Sequence, residues 1–145
     1  MKAIICDGSS RGNPGPASIG VVIWDRKFGT ASARRVTPTH TISRSIGHAT
    51  NNEAEWEAVL AAMQHVVDTA KGFNQVFIYS DSLLVVSQAN GDWKVKDPRM
   101  INFKERLDTF ADEAELRQQQ VKLTWLPRQL TVLADKQAQN GHHQG

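Results

Sequence analysis

Four carboxylates stand where a carboxylate is awkward: Asp7, Glu55, Asp81 and Asp135. Asp7 closes the apolar run AIICD at residues 3–7, and Asp81 follows the apolar run VFIYS at Val76–Ser80. Strands separated by a crossover helix usually lie parallel, and such sheets bind ligands beyond their carboxyl ends. Two adjacent parallel strands would therefore bring Asp7 and Asp81 to one sheet edge. Taken singly, each is equally an ordinary turn-opening aspartate. Glu55 is more telling. At helical spacing, positions 55, 59, 62, 63, 66 and 70 form one stripe of Glu, Val, Ala, Met, Val and Ala. Glu55 belongs to that apolar face, whereas Glu53 and Glu57 fall on the opposite, solvated one. A carboxylate in an apolar stripe is costly unless paired or bound to a cation. The helix dipole offers a milder role to any acid near a helix start. Asp135, in LTVLADKQAQ, draws its weight from the other three.

Three or four carboxylates at one edge repel unless divalent cations neutralise them, and hard oxygen donors suit Mg²⁺ or Mn²⁺. Two such ions about 4 Å apart activate a water and stabilise the leaving oxygen in phosphodiester cleavage. Other metal chemistries fit poorly. The lone Cys6 excludes a thiolate zinc site, and His40, His48 and His65 lack HExxH-like spacing. Cys6 alternates away from Asp7 and reads as a small core residue.

The elements that must position these acids follow from periodicity and turn residues. The loop GSSRGNPGP follows the first strand. Extended stretches are expected at Ser18–Trp24, around 31–36 and around 40–46. A helix is expected over Asn52–Lys71, capped by Thr50 or Asn51. After the strand Val76–Ser80 come a short helix at Ser82–Asn90, an amphipathic helix at Pro98–Arg117 and an alternating strand at Val121–Leu126. A last helix spans about Thr131–Asn140. A hairpin start followed by alternating strands and helices predicts a single α/β domain with a five-stranded mixed sheet flanked by helices.

With 145 residues, 40% hydrophobic and 22% charged, the chain has the composition of one ordinary globular domain. No apolar run reaches the roughly 20 residues that cross a bilayer. The start MKAIICDG lacks a signal-peptide pattern, and one cysteine gives no disulfide framework, so the expected location is the cytoplasm. Net charge is only +2, but its distribution is uneven. From Ser9 to His48 six bases (Arg11, Arg26, Lys27, Arg34, Arg35 and Arg44) face one acid, Asp25; from Ala49 to Gly91 five acids face Lys71. Two solvated surfaces explain this, as does a basic wall beside an acidic pocket, the arrangement of a metal-using enzyme that acts on a polyanion.

Four segments together resemble the type 1 ribonuclease H family: Asp7-Gly-Ser-Ser-Arg-Gly-Asn-Pro-Gly15, Thr50-Asn-Asn-Glu-Ala-Glu55, Tyr79-Ser-Asp81-Ser, and Trp125-Leu-Pro-Arg128 through Ala134-Asp135. They follow the family's order and spacing over nearly the whole chain. The resemblance implies that Asp7, Glu55, Asp81 and Asp135 are the catalytic acids and hold two Mg²⁺ or Mn²⁺ ions, with Asp7 shared between them. It implies hydrolysis of the RNA strand of an RNA–DNA hybrid, with no membrane and no obligate protein partner. Ser9, Asn13, Pro14 and Gly15 match the loop that approaches the RNA sugars. Asn51 and Asn52 match residues that reach the hybrid's minor groove, where amides suit the 2′-hydroxyl. Thr50 matches part of a phosphate pocket for the DNA strand. Trp93 resembles an aromatic lining the DNA channel, or else a tryptophan packed under a loop.

Three departures from the family pattern stand out. Arg128 replaces the mobile histidine of the best-known bacterial members and is expected to aid product release. Leu83 stands where several relatives carry a Gln. Finally, GDWKVKDPRM at Gly91–Met100 is too short and too balanced for the family's basic protrusion. A binding module without catalysis would not need all four acids. DNA-acting relatives of the fold would not need the NNEAE and GNPG segments.

Overall fold

The computed structural model describes residues 1–25 and 37–144. The extended stretch expected around 31–36, with Arg26, Lys27, Arg34 and Arg35, lies outside the described residues. In chain order the elements are β1 (Lys2–Ser10), β2 (Gly15–Trp24), β3 (His40–Ala49), α1 (Asn51–Asp68), β4 (Asn74–Ser80), α2 (Leu83–Ala89), α3 (Pro98–Leu116), β5 (Gln119–Trp125) and α4 (Val132–Gln144). A 3₁₀ turn, Arg128–Leu130, precedes α4. The five strands form one mixed sheet in the order β3-β2-β1-β4-β5. β1, β2 and β3 make an antiparallel meander, while β4 joins β1, and β5 joins β4, in parallel. The expected architecture is the one observed.

β1 runs longer than its apolar residues alone indicate. Its antiparallel register with β2 continues through Asp7↔Gly20 to Ser10↔Ala17, so the strand extends three residues past Asp7. Its parallel pairing with β4 ends earlier, at Ile5↔Tyr79. Asp7 is therefore interior to β1 yet beyond the end of the β1–β4 ladder, where the sheet opens toward the turn after β4.

Alternation along β1 divides two cores. Ile4 and Cys6 face α1 and pack with Trp56, Val59, Met63 and Val66. Ala3 and Ile5 face the other way, with Val22, Trp24 and Leu133 of α4. Cys6 is fully buried, as a core residue should be. Behind α1 lies α3, whose buried residues Met100, Phe103, Leu107 and Ala114 recur at helical spacing. The ring of Phe103 stacks on Trp56 at 6.0 Å, and Trp56 Nε1 donates to Gln88 Oε1 at 3.2 Å, fixing α2 to the same layer.

Thr50 is the N-cap of α1. Its hydroxyl accepts from the Glu53 N–H while Glu53 Oε1 accepts from the Thr50 N–H, a complete capping box. The expected outward orientation of Glu53 and Glu57 needs correction. Glu53 closes the cap and lies 3.8 Å from Arg99, and Glu57 accepts from Arg106 at 3.0 Å, so both face α3. Between α2 and α3, residues 90–97 form a turn without a helix of their own.

Candidate active site

Gly8 makes the site possible. A Cβ on Gly8 would fall 2.1 Å from the Ala54 carbonyl carbon and 2.5 Å from the Glu55 nitrogen. Only a residue without a side chain lets the first turn of α1 lie directly on β1. The Gly8 N–H then donates to Glu55 Oε1 at 3.0 Å, drawing this carboxylate to the strand beside Asp7. Asp81 reaches the same place from the turn after β4. Leu126 N–H donates to the Ser80 carbonyl at 2.9 Å, and Trp125 Nε1 donates to the Asp81 carbonyl at 3.1 Å. Ser82 caps α2 by accepting from Val85 N–H.

The outcome is a compact cluster: one oxygen each of Asp7, Glu55 and Asp81 lies within 4.8 Å of the others. Asp135 stands outside this triad in the first turn of α4, close enough to Asp7 to affect its ionisation. α4 is anchored on the sheet by two serines. Ser18 Oγ donates to the Ala138 carbonyl, and Ser43 Oγ to the Gln137 carbonyl at 2.6 Å.

Asp7 is 1% exposed, and both Asp7 Oδ2 and Glu55 Oε2 are buried without a hydrogen-bond partner. Burial, together with the neighbouring Glu55 charge, holds the Asp7 carboxyl far above the usual carboxylate range. Burial raises Glu55 as well, against the lowering effects of the neighbouring Asp7 carboxyl and of the Gly8 N–H that donates to Oε1. Hard oxygens crowded together and left without donors fit a hard divalent cation, which would supply the missing partner.

Arg128, on the 3₁₀ turn, bridges the cluster's outer side. Its Nε lies 3.9 Å from Asp81 Oδ2 and a terminal guanidinium nitrogen 3.4 Å from Asp135 Oδ1, while 75% of the side chain remains exposed. The loop joining β1 to β2 is tied to the start of α1. Asn51 Oδ1 accepts from the Ser10 N–H and Asn13 Oδ1 accepts from the Asn51 N–H, each at 3.0 Å. Asn13 and Asn51 thus spend their amide oxygens on internal bonds that hold this loop. Gly15 is required there too, because a Cβ would meet the Arg11 carbonyl at 1.8 Å. Pro14 and Asn52 are exposed on the same patch, and Ser9 Oγ accepts from Gln139 Nε2 of α4 at 3.3 Å. Trp93 belongs to a different segment, the turn after α2, where it is 46% exposed and its N–H donates to the Ser87 carbonyl.

Gly8 and Thr131, whose hydroxyl lies 3.2 Å from Asp81 Oδ2, escaped the sequence reading. Gly8 sits inside the DGSS segment, where only the α1 contact reveals its purpose. Thr131 lies one helical turn before Asp135, which is the only hint the sequence offers.

Fold and site together define an α/β domain whose sheet edge gathers carboxylates suited to hard cations. The sequence pattern of the RNase H family matches residues 1–142, and the chain belongs to that family. It is 35% identical over 133 residues to ribonuclease HI of Halobacterium salinarum, covering 89% of this chain and 58% of that protein. It is 34% identical over 139 residues to the bifunctional protein Rv2228c of Mycobacterium tuberculosis, covering 95% of this chain and 35% of that one. The chain thus spans about a third of the mycobacterial protein and a little over half of the Halobacterium one. Among solved structures, RNase H1 from Halobacterium salinarum superposes with a TM-score of 0.83 at 29% identity, covering 99% of this chain and 98% of that one. LC11-RNase H1 in complex with an RNA/DNA hybrid gives 0.81 at 32% identity, covering 99% and 98%.

Proposed function

We propose that this chain is an endoribonuclease that hydrolyses the RNA strand of RNA–DNA hybrids with divalent metal ions, leaving 5′-phosphate and 3′-hydroxyl ends. The observation that carries the reading is the Asp7–Glu55–Asp81 cluster, with two buried carboxylate oxygens lacking any partner. The hybrid as substrate is supported by the related LC11-RNase H1, solved with an RNA/DNA hybrid.

In this reading Asp7, Glu55, Asp81 and Asp135 would hold two Mg²⁺ or Mn²⁺ ions. Bound ions of this kind activate a water and stabilise the leaving 3′-oxygen. The residues of the chain do the rest. Glu55, fixed by the Gly8 N–H, and Asp81, whose backbone carbonyl is held by the Trp125 indole, present oxygens to one point. Arg128 is a permanent cation that cannot serve as a tunable base. It guides the scissile phosphate toward the acids and helps the cleaved end depart. Ser9, Asn13, Pro14 and Gly15, with Asn51 and Asn52, bring backbone and amide donors to the RNA sugars. The 2′-hydroxyl, both donor and acceptor, is what such groups distinguish. Thr50 and the start of α1 receive a DNA phosphate, and Trp93 lines the DNA path. We read the chain as a type 1 enzyme without a basic protrusion, a reading supported by the short, charge-balanced stretch Gly91–Met100. Among the described residues no helix is long and apolar enough to cross a membrane, and the only cysteine is buried. The proposed enzyme acts in the cytoplasm, and this reading invokes no obligate protein partner.

The test compares labelled RNA–DNA hybrid, double-stranded RNA and double-stranded DNA with Mg²⁺, Mn²⁺ or chelator. Cleavage confined to the RNA of the hybrid, abolished by chelator and ending in 5′-phosphate, is expected. Cyclic-phosphate ends, or activity that survives chelation, would overturn the two-metal account.

A further inference from the structure

Thr131 is fully buried, at 0% exposure, on the connection between the Arg128 turn and α4. Its backbone already has two partners: the N–H donates to the Arg128 carbonyl at 3.0 Å, and the carbonyl accepts from the Asp135 N–H at 3.1 Å. The hydroxyl takes part in neither of these bonds. It lies 3.2 Å from Asp81 Oδ2 and 3.1 Å from the Arg128 carbonyl oxygen. One proton cannot serve both acceptors fully, and a carboxylate is the stronger acceptor of the two. Arg128 Nε approaches the same oxygen, Asp81 Oδ2, at 3.9 Å.

Accordingly we infer that Thr131 is a positioning residue for Asp81. Its hydroxyl engages Oδ2, fixes the rotation of the carboxylate, and leaves Oδ1 as the oxygen turned to a cation shared with Asp7 and Glu55. The inference rests on the metal-dependent reading of this site. Thr131 thereby couples two of the acids: the residue that orients Asp81 through its side chain also starts the helical turn that carries Asp135. The same site prefers a branched hydroxyl residue, because the methyl fills a fully enclosed position while the oxygen donates. Partners of this kind, one step removed from the metal, are typically worth 10–100-fold in metal affinity.

Mn²⁺ alone, without nucleic acid, is the probe. Its affinity is measured calorimetrically and by the shift in melting temperature for wild type, Thr131→Val and Thr131→Ser, beside kcat and KM on the hybrid. Thr131→Val, which keeps the shape and loses the donor, is expected to weaken Mn²⁺ binding by about tenfold. It should lower kcat and leave KM for hybrid unchanged; Thr131→Ser should restore both Mn²⁺ affinity and kcat. Should Val disturb the seating of α4, Thr131→Ala removes the same donor without a branched side chain and carries the same expectation. Unchanged Mn²⁺ affinity in the donorless variants, or a Ser variant as weak as they are, overturns the inference while wild-type activity stands. If wild type takes up no Mn²⁺ and cleaves nothing, the functional reading fails first and this inference with it.

Discussion

Asp7 is held in a state that an isolated protein would avoid. Its carboxyl is raised by burial first and by the Glu55 charge second, and Glu55 is raised by burial. The sign of the consequence is fixed. A carboxyl whose folded pKa exceeds its unfolded value of about 4 gives stability that is complete below that value and lost as pH rises through the folded one. The metal-free protein should therefore melt progressively lower as pH rises from about 4 through neutrality. Asp7→Asn replaces the carboxyl that must take up a proton to stay buried at neutral pH with an amide that never ionises. It is expected to raise the metal-free melting temperature at pH 7 by several degrees, at roughly 3 °C per kcal/mol for a domain this size, and to flatten the pH dependence. Turnover should nearly vanish. Scanning calorimetry in chelator across pH checks this; a variant that melts well below wild type at pH 7 would make Asp7 a structural residue. The three central acids were legible because each broke a local rule, at the end of an apolar run or in an apolar stripe. Thr131 broke none. A threonine before a helix is ordinary, and its partner Asp81 is 50 residues away, so only the tertiary structure exposes it.

Between elements, the decisive contact is α1 on β1. Most of the buried stripe on α1 was readable from its period: Val59, Ala62, Met63 and Val66 are all buried, and Thr50 supplies the expected cap. The failures have two physical causes. Strand ends depend on partners, so β1 extends to Ser10 because β2 continues to pair with it. The environment of Glu53 and Glu57 depends on α3, which a helical wheel of α1 alone cannot contain. Gly8→Ala tests the contact itself. Its Cβ would strike backbone atoms of Ala54 and Glu55, which cannot rotate away as a flexible side chain could. Overpacking costs about 1–3 kcal/mol, so the melting temperature should fall by about 3–10 °C. Because α1 must lift from β1, Glu55 should retreat from Asp7 and turnover should fall further than stability explains. A variant that melts and cleaves like wild type would show that the two elements are not held in register at this point.

At the scale of the whole molecule, the question is which charges bind a polyanion. The acidic half of the asymmetry is placed in the structure: Glu55 and Asp81 enter the cluster, and Glu53 and Glu57 face bases of α3. Of the basic half, Arg11 and Arg44 are exposed, and the remaining four bases lie outside the described residues. The turn at residues 90–97 adds little. Lys94 and Lys96 are exposed, but Arg99, at the start of α3, is committed to Asp97 at 3.2 Å and Glu53 at 3.8 Å. Each phosphate contact contributes a slope of roughly −0.9 to the dependence of log affinity on log salt. Losing two lysines can therefore remove a slope of at most about 1.8. We expect less, because this turn holds too few free bases to act as a handle. The measurement uses Asp7→Asn bound to uncleaved hybrid and titrated with salt, alone and combined with Lys94→Ala and Lys96→Ala. A slope changed by less than about one unit leaves binding to the basic residues between Ser9 and His48. A loss near the full 1.8, with affinity falling in step, would place the nucleic-acid handle in the turn before α3 and make the charge excess of the earlier segment a solvated surface.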